Sequence, residues 1–269
     1  FFSREIAQQH NYILQVRQDI ARSIFRGFEG FELYFQPIVD AKCHMVVCCE
    51  ALLRWTGAAV GRTDISEVIK LLEANGEICT VGRWIVDAVF GYAKQWQERY
   101  GRFTVGFNTS YLQFKDEKFV DYMIDKANEL RLDPGLICIE LTESCKVDDF
   151  VHLASCFSRL RSFGFRISLD DFGIAYSTLL LVRNLPADSV KIDHSFVRNL
   201  TSENKVDLAI IDSVESLCKQ LNIDVVVEGV ETQQVLELMS SFPISLLQGY
   251  HFAKPMPAAE FEKVIFHQF

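Results

Sequence analysis

No apolar run in this 269-residue chain approaches the roughly 20 residues that a membrane-spanning helix needs. The opening stretch, FFSREIAQQH, lacks the basic-then-apolar pattern of a secretory signal peptide. A cytoplasmic domain is the expectation. The chain begins at Phe1 rather than methionine, so it reads as a processed chain or as a piece of a longer protein, whose own membrane anchoring stays open. Positive charge is in deficit: 27 Lys and Arg face 36 Asp and Glu, for a formal net charge of −9. Such a surface disfavours nucleic-acid polymers but leaves room for a small anion bound through metal ions. None of the eight cysteines forms a CxxC pair, and no histidine sits at zinc-finger spacing from them. Reduced, mostly buried thiols are expected. What the chain does have is core material. Its hydrophobic fraction of 49% and charged fraction of 23% suit one large globular domain.

Residues 4–27 have a helical pattern, with Ile13, Val16, Ile20 and Ile24 on one face. We expect residues 1–28 to be a linker helix continuing from an upstream domain, and residues 29–269 to form the main domain. Apolar segments at 31–39 and 45–55 look like two strands joined by a short turn. Strand-like segments then recur at 102–108, 135–141, 165–170, 188–193, 224–228 and 244–249. Helical patterns lie at 65–74, 81–98, 111–131, 148–164, 177–184, 205–222, 232–242 and 258–266. In the helix at 205–222, Val206, Ile210, Val214, Leu217 and Leu221 make the expected apolar face. Short strands, apolar on both faces and alternating with helices, predict a parallel sheet covered by helices. At this length they predict a modified TIM (β/α)8 barrel. Because the first two strands have no helix between them, the first is expected to be irregular and antiparallel. The alternative, a doubly wound open sheet, would ordinarily carry a Gly-rich phosphate loop after its first strand, and none is present.

Polar residues collect where the strands end. Glu50 lies in the second strand; Asn108, Glu140 and the pair Asp170–Asp171 close the third, fourth and fifth. Lys191 and Asp193 lie in the sixth, Glu228 closes the seventh, and Gln248 lies in the eighth. One acid after a strand is ordinarily a helix N-cap. Six or more acids and amides converging on one barrel rim would repel one another without a counter-ion. Oxygen donors of this kind suit Mg2+ or Mn2+, and the lack of a second histidine near His194 or His251 disfavours zinc. The adjacent aspartates could bridge two ions, the arrangement used for phosphodiester chemistry. Lys191 could be structural, pairing with a carboxylate, or could orient a metal-bound hydroxide or stabilise charge developing on phosphorus; the second, functional role is favoured.

The segments YFQPIVD (34–40), CCEALLRW (48–55), FNTS (107–110), IELTES (139–144), LDDFG (169–173), VKID (190–193), VVVEGVET (225–232) and QGYHFAKPMP (248–257) carry a family pattern in order. From about residue 30 onward the chain resembles the EAL domain family of cyclic di-GMP phosphodiesterases. The resemblance implies a metal-dependent hydrolase that opens cyclic di-GMP to linear pGpG with two Mg2+ or Mn2+ ions. By this likeness Glu50, Asn108, Glu140 and Asp170 would hold one ion. Asp170 would bridge to the second, with Asp171 as its other direct ligand. Lys191 would contact the attacking water, Glu228 would act as base or support, and Gln248 would help through water. Gln36 and Arg54 resemble contacts to guanine and phosphate, with Asp193 and Glu231 as weaker candidates, and Glu143 would brace the loop after the fifth strand. A homodimer and an upstream sensor or GGDEF-type domain are the implied partners.

The likeness departs at one loop. The family pattern after DFG is Thr or Ala, then Gly, then an aromatic; here Ile174, Ala175 and Tyr176 follow. Alanine at a position needing positive φ costs roughly 1 kcal/mol or reshapes the loop. The competing function is therefore a weak or inactive receptor module that binds cyclic di-GMP without cleaving it. An unrelated metal-dependent barrel, such as an enolising enzyme, would need a different order of motifs.

Overall fold

The computed structural model describes residues 2–57, 64–142, 147–174 and 178–266. The helix α1 (Phe2–Phe25) leads in, and Val16 and Ile20 on its inner face are buried in the core. Two long strands follow, β1 (Phe31–Asp40) and β2 (Val46–Trp55), paired antiparallel with Gln36 opposite Glu50. Helices α2 (Ile65–Asn75) and α3 (Ile78–Tyr100) then lead to β3 (Thr104–Ser110). From there strand and helix alternate: α4 (Tyr111–Phe114), α5 (Lys118–Leu130), β4 (Ile137–Thr142), α6 (Phe150–Phe163), β5 (Arg166–Phe172) and α7 (Thr178–Asn184). The series ends with β6 (Ser189–Ile192), α8 (Lys205–Leu221), β7 (Asp224–Val227), α9 (Gln233–Met239), β8 (Leu246–Gln248), β9 (Met256–Pro257) and α10 (Ala258–Phe266).

Strands β2 to β8 are parallel neighbours in sequence order, and β1 closes the barrel by pairing antiparallel with both β8 and β2. The expected barrel with an antiparallel first strand is the fold found. The physical reason lies in the β1–β2 turn: a connection this short can only reverse the chain, whereas a parallel pair needs a crossover. The short β9, which the sequence pattern does not reveal, pairs with Tyr34 and Phe35 of β1.

Each parallel strand has two buried faces. Val105, Ile139, Ile167 and Val190 point outward beneath the helices, while their polar neighbours point into the lumen. Behind β1, Phe35 stacks edge-on against Trp96 at 4.9 Å, and Trp96 meets Phe261 of α10 at 5.3 Å. Trp96 Nε1 donates to Glu262 at 3.1 Å, which satisfies its buried N–H. This cluster fixes β1, and with it Gln36, against the rest of the barrel.

Four details differ from the sequence reading. The 111–131 helix is two helices, with a turn at 115–117. The fifth strand runs through both aspartates to Phe172 rather than stopping at Asp170. The buried face of α8 is Ile211, Val214, Glu215 and Cys218, with Val206 and Leu221 exposed. Two apolar sets at helical spacing overlap in that segment, and packing against the barrel selects the one rotated away from Val206. The thiols are also less buried than expected: Cys49, Cys156 and Cys218 are buried, Cys48, Cys79 and Cys138 half-buried, and Cys43 exposed, with no disulfide among the described residues. Cys145 lies outside the described residues. Among the described residues no helix is long and apolar enough to cross a membrane.

Candidate metal and phosphodiester site

Alternation along the strands brings Glu50, Glu140, Asp170 and Lys191 to the luminal side near the C-terminal ends of β2, β4, β5 and β6. Lys191 is 1% exposed, and its ammonium is the hub. It donates to Glu50 at 2.9 Å and to Glu140 at 2.8 Å, and lies 2.7 Å from Glu228. Asp170 is farther, at 3.5 Å. An ammonium has three donors, so the fourth carboxylate is attracted by charge but left without a hydrogen bond from Lys191. Asp170 accepts instead from the Asp171 backbone N–H at 3.0 Å.

Adjacent residues of a regular strand point to opposite faces. Asp170 and Asp171 escape that rule because the β5–β6 register shifts between Leu169 and Phe172, and Asp171 has φ +53. This is a bulge, and aspartate is one of the few residues that accept its left-handed backbone. It turns both carboxylates toward the rim. Gly173 follows at φ +108, and a Cβ there would lie 2.6 Å from the Phe196 ring, so only glycine fits. The neighbouring Ile174 is 58% exposed. Ala175 and Tyr176 lie outside the described residues.

Two sets of carboxylates could each hold a cation: Glu50, Glu140 and Asp170, and then Asp170, Asp171 and Glu228. Asp170 belongs to both. Asn108 Nδ2 donates to Glu50 at 2.6 Å, while its Oδ1 is buried without a partner among the described residues. A buried amide oxygen left unmatched beside carboxylates suits a hard cation, so the residues fit the implied ions.

Electrostatics agree. Burial pushes the Glu140 carboxyl up to about 8, against the pull of Lys191, and neighbouring Glu50 and Asp170 push the same way. Asp170 is pushed up to about 6 by burial, again against Lys191. Glu228 is driven well above the ordinary carboxylate range by burial. Glu50 goes the other way: burial would raise it, but Lys191, Gln248 and Asn108 together bring it down. Lys191 is held firmly protonated, the cost of burial being outweighed by the carboxylates around it.

The remaining candidates divide. Gln248 Nε2 donates to Glu50 at 2.8 Å and to Gln36 at 3.1 Å, so Gln36 joins the site from β1. Arg54 is on the same face of β2 as Glu50, four residues further toward the rim. Its guanidinium donates to the Leu53 carbonyl and lies over the Tyr34 ring. Asp193 is buried but locally engaged: it accepts from Ser195 N–H at 2.7 Å and contacts His194 Nδ1 at 2.8 Å. Glu231 sits apart, 3.7 Å from Arg198. Glu143 lies outside the described residues. Sequence reasoning missed Gly106. A Cβ there would lie 2.0 Å from Glu140 Oε1, so its bare backbone is the space the carboxylate occupies. A glycine inside an apolar strand, two residues before Asn108, was the available signal.

The sequence profile of the EAL domain matches residues 17–255. MucR of Pseudomonas aeruginosa, named a bifunctional diguanylate cyclase/cyclic di-GMP phosphodiesterase, is 31% identical over 261 residues, covering 97% of this chain and 38% of the relative. The signaling protein YkoW of Bacillus subtilis is 31% identical over 240 residues, covering 89% and 30%. The chain thus spans about a third of the length of these relatives. The solved phosphodiesterase domain of Pseudomonas aeruginosa MucR in complex with c-di-GMP superposes with a TM-score of 0.84 at 31% identity, covering 92% of this chain and 99% of that one. The EAL enzyme Bd1971 in its cAMP-bound form gives 0.87 at 27% identity, covering 97% and 72%. A profile that runs from the inner half of α1 to the edge of β9, and the same barrel in these structures, make the chain a member of the EAL domain family of cyclic di-GMP phosphodiesterases.

Proposed function

We propose that this domain hydrolyses cyclic di-GMP to linear pGpG with the help of two divalent cations, Mg2+ or Mn2+. The observation that carries the proposal is Asp170, shared by two oxygen-donor sets beside the unmatched Asn108 Oδ1. Glu50, Asn108, Glu140 and Asp170 would hold one cation, and Asp170 and Asp171 the other. Bound there, such ions activate water and neutralise phosphate charge, which lets an acidic domain take an anionic substrate.

The side chains supply the rest. Lys191 holds Glu50, Glu140 and Glu228 in register and presents fixed positive charge where charge develops on the phosphoryl oxygens. Glu228, with a carboxyl that keeps its proton unusually well, is suited to proton transfer. Gln248 orients Glu50, and Gln36 and Arg54 would meet the nucleotide from β1 and β2. The reaction adds a water oxygen to phosphorus, breaks one P–O3′ bond and leaves the proton on the 3′ oxygen. The domain works in the cytoplasm, as part of a homodimer, under an upstream sensor or GGDEF-type domain. The greater length of the curated relatives supports a further region in the full protein.

The test is incubation with cyclic di-GMP and Mg2+ or Mn2+, with pGpG followed by chromatography and Glu50→Ala as control. Product that vanishes in the variant supports the enzyme. Tight binding without product makes the domain a receptor and points to the Ile174–Ala175 loop. Neither binding nor turnover refutes the proposal.

A further inference from the structure

A cavity lies in the barrel at the end opposite the acidic rim. It measures about 620 Å3 and is bounded by the N-terminal ends of the parallel strands, from Thr104 and Arg166 to Asp224 and Leu246. Its ceiling is the underside of Lys191 and Glu140. Barrels of this class ordinarily fill that space with layers of bulky branched side chains. Here four inward positions below the rim are small, Cys48 below Glu50, Cys138 below Glu140, Ser168 below Asp170 and Ser189 below Lys191, with Gly106 alongside, while Val226 and Leu246 are the bulkier lining on β7 and β8. The lumen is open because these residues leave it open.

Two observations say what the lumen accepts. Ser168 is 1% exposed, and its hydroxyl has no hydrogen-bond partner among the described residues, although it lines the cavity. A buried hydroxyl without a protein partner is uncommon and calls for a partner within the cavity, a water or a bound group. At the mouth, the acids already accept local hydrogen bonds. Asp40 accepts from the N–H groups of Lys42 and Cys43, Asp188 from Arg161 and Ile167 N–H, and Asp224 from Ser245. Arg166 is exposed at the start of β5, and its guanidinium has no hydrogen bond or ion pair among the described residues. The unspent polar capacity of the mouth is therefore cationic.

We propose that this lower lumen binds a small organic oxyanion, a carboxylate or phosphate ester with a compact uncharged body, its charged end on Arg166 and a polar group on Ser168. The volume falls within the range of small-molecule sites. The site is separate from the acidic rim, since of the rim residues only Lys191 and Glu140 line it, from beneath. It does not depend on the phosphodiesterase reading, and its test uses no turnover.

Succinate and glycerol 3-phosphate serve as probes for the two chemical sources, titrated calorimetrically into the Mg2+-loaded domain. At least one is expected to bind, with affinity weakened about tenfold or more in Arg166→Ala, the loss of one charge-assisted contact. Ser189→Leu, which fills the lumen, abolishes binding. Arg54→Ala, at the opposite end, leaves it unchanged and excludes attachment at the rim. Which probe binds distinguishes carboxylate from phosphate ester. If neither binds up to roughly 10 mM, or if binding ignores either Arg166→Ala or Ser189→Leu, the lumen holds only solvent and the proposal is overturned. Circular dichroism establishes that Ser189→Leu is folded; Arg166→Ala, at an exposed position, provides an independent arm.

Discussion

Substituting Gly106 by alanine tests the site at its most confined point. The backbone there is not left-handed, so alanine is acceptable to the chain itself and restricts the unfolded state, a gain of roughly 0.4–1 kcal/mol if nothing else changed. The added Cβ, however, would sit 2.0 Å from Glu140 Oε1 and 3.0 Å from its Cδ, and ordinary contact begins at 3.4 Å. Glu140 must therefore move its carboxylate by more than 1 Å, and its 2.8 Å bond to Lys191 cannot survive unaltered. A displacement of about 1 Å in a catalytic constellation costs on the order of 100-fold in rate. Disturbing a buried charged pair costs up to about 3 kcal/mol, more than the backbone gain returns. The measurements are pGpG formation, Mn2+ affinity by calorimetry and thermal stability. Gly91→Ala is the control, because a Cβ at Gly91 meets nothing within 4 Å in the middle of α3. It should keep full activity and gain up to about 1 kcal/mol. If Gly106→Ala keeps turnover within roughly threefold and Mn2+ affinity is unchanged, Glu140 does not depend on that space and its assignment as a ligand fails.

In the cation-free domain, carboxyls raised to about 8 at Glu140 and about 6 at Asp170 keep protons that the unfolded chain releases near 4.5 and 3.8. The folded state then binds more protons than the unfolded one, so stability should fall as pH rises through 6 toward 8. Melting in chelator at pH 6 and at pH 8.5, with and without Mn2+, checks this; a melting temperature that climbs with pH in chelator contradicts it. Glu228→Gln keeps the shape of the site but removes the proton-transfer group, and should lower turnover by roughly 100-fold or more with cyclic di-GMP affinity retained. Equal loss of affinity and rate would assign Glu228 to binding instead. Gly173→Ala meets both a left-handed backbone and the Phe196 ring, and should lower turnover by disturbing the bulge that carries Asp171. Unchanged kinetics would show that the loop repacks freely.

Much of the fold was legible because alternation of apolar strands and amphipathic helices is a local property, visible at β3 to β8 without tertiary information. The antiparallel β1 was legible for the same reason: a turn too short for a crossover dictates direction. What escaped depended on distant partners. The face of α8 could not be chosen from its own residues, since Val206 and Ile211 are equally apolar and only the barrel surface decides between them. The two-residue β9 has no pattern of its own and exists because β1 offers an unpaired edge at Tyr34 and Phe35. The open lower lumen escaped because small residues beneath the rim, at positions 48, 138, 168 and 189, are unremarkable one at a time.

The doubled aspartate shows how the two kinds of information combine. The sequence alone poses it as a conflict, since adjacent strand residues cannot share a face and adjacent carboxylates repel. The bulge resolves the geometric half: Asp171 takes φ +53, and both side chains reach the rim. It leaves the electrostatic half in place, because Lys191 spends its three donors on Glu50, Glu140 and Glu228 and has none for Asp170. A fold shaped only for stability would gain by replacing Asp171 with a residue at ease in the left-handed region, such as glycine. Glycine does occupy that region two residues on, at Gly173, so the strand had access to it. Keeping a strained aspartate beside a carboxylate that its lysine does not hydrogen-bond makes physical sense if something positive arrives at Asp170 and Asp171 together, which is what the shared donor sets provide for.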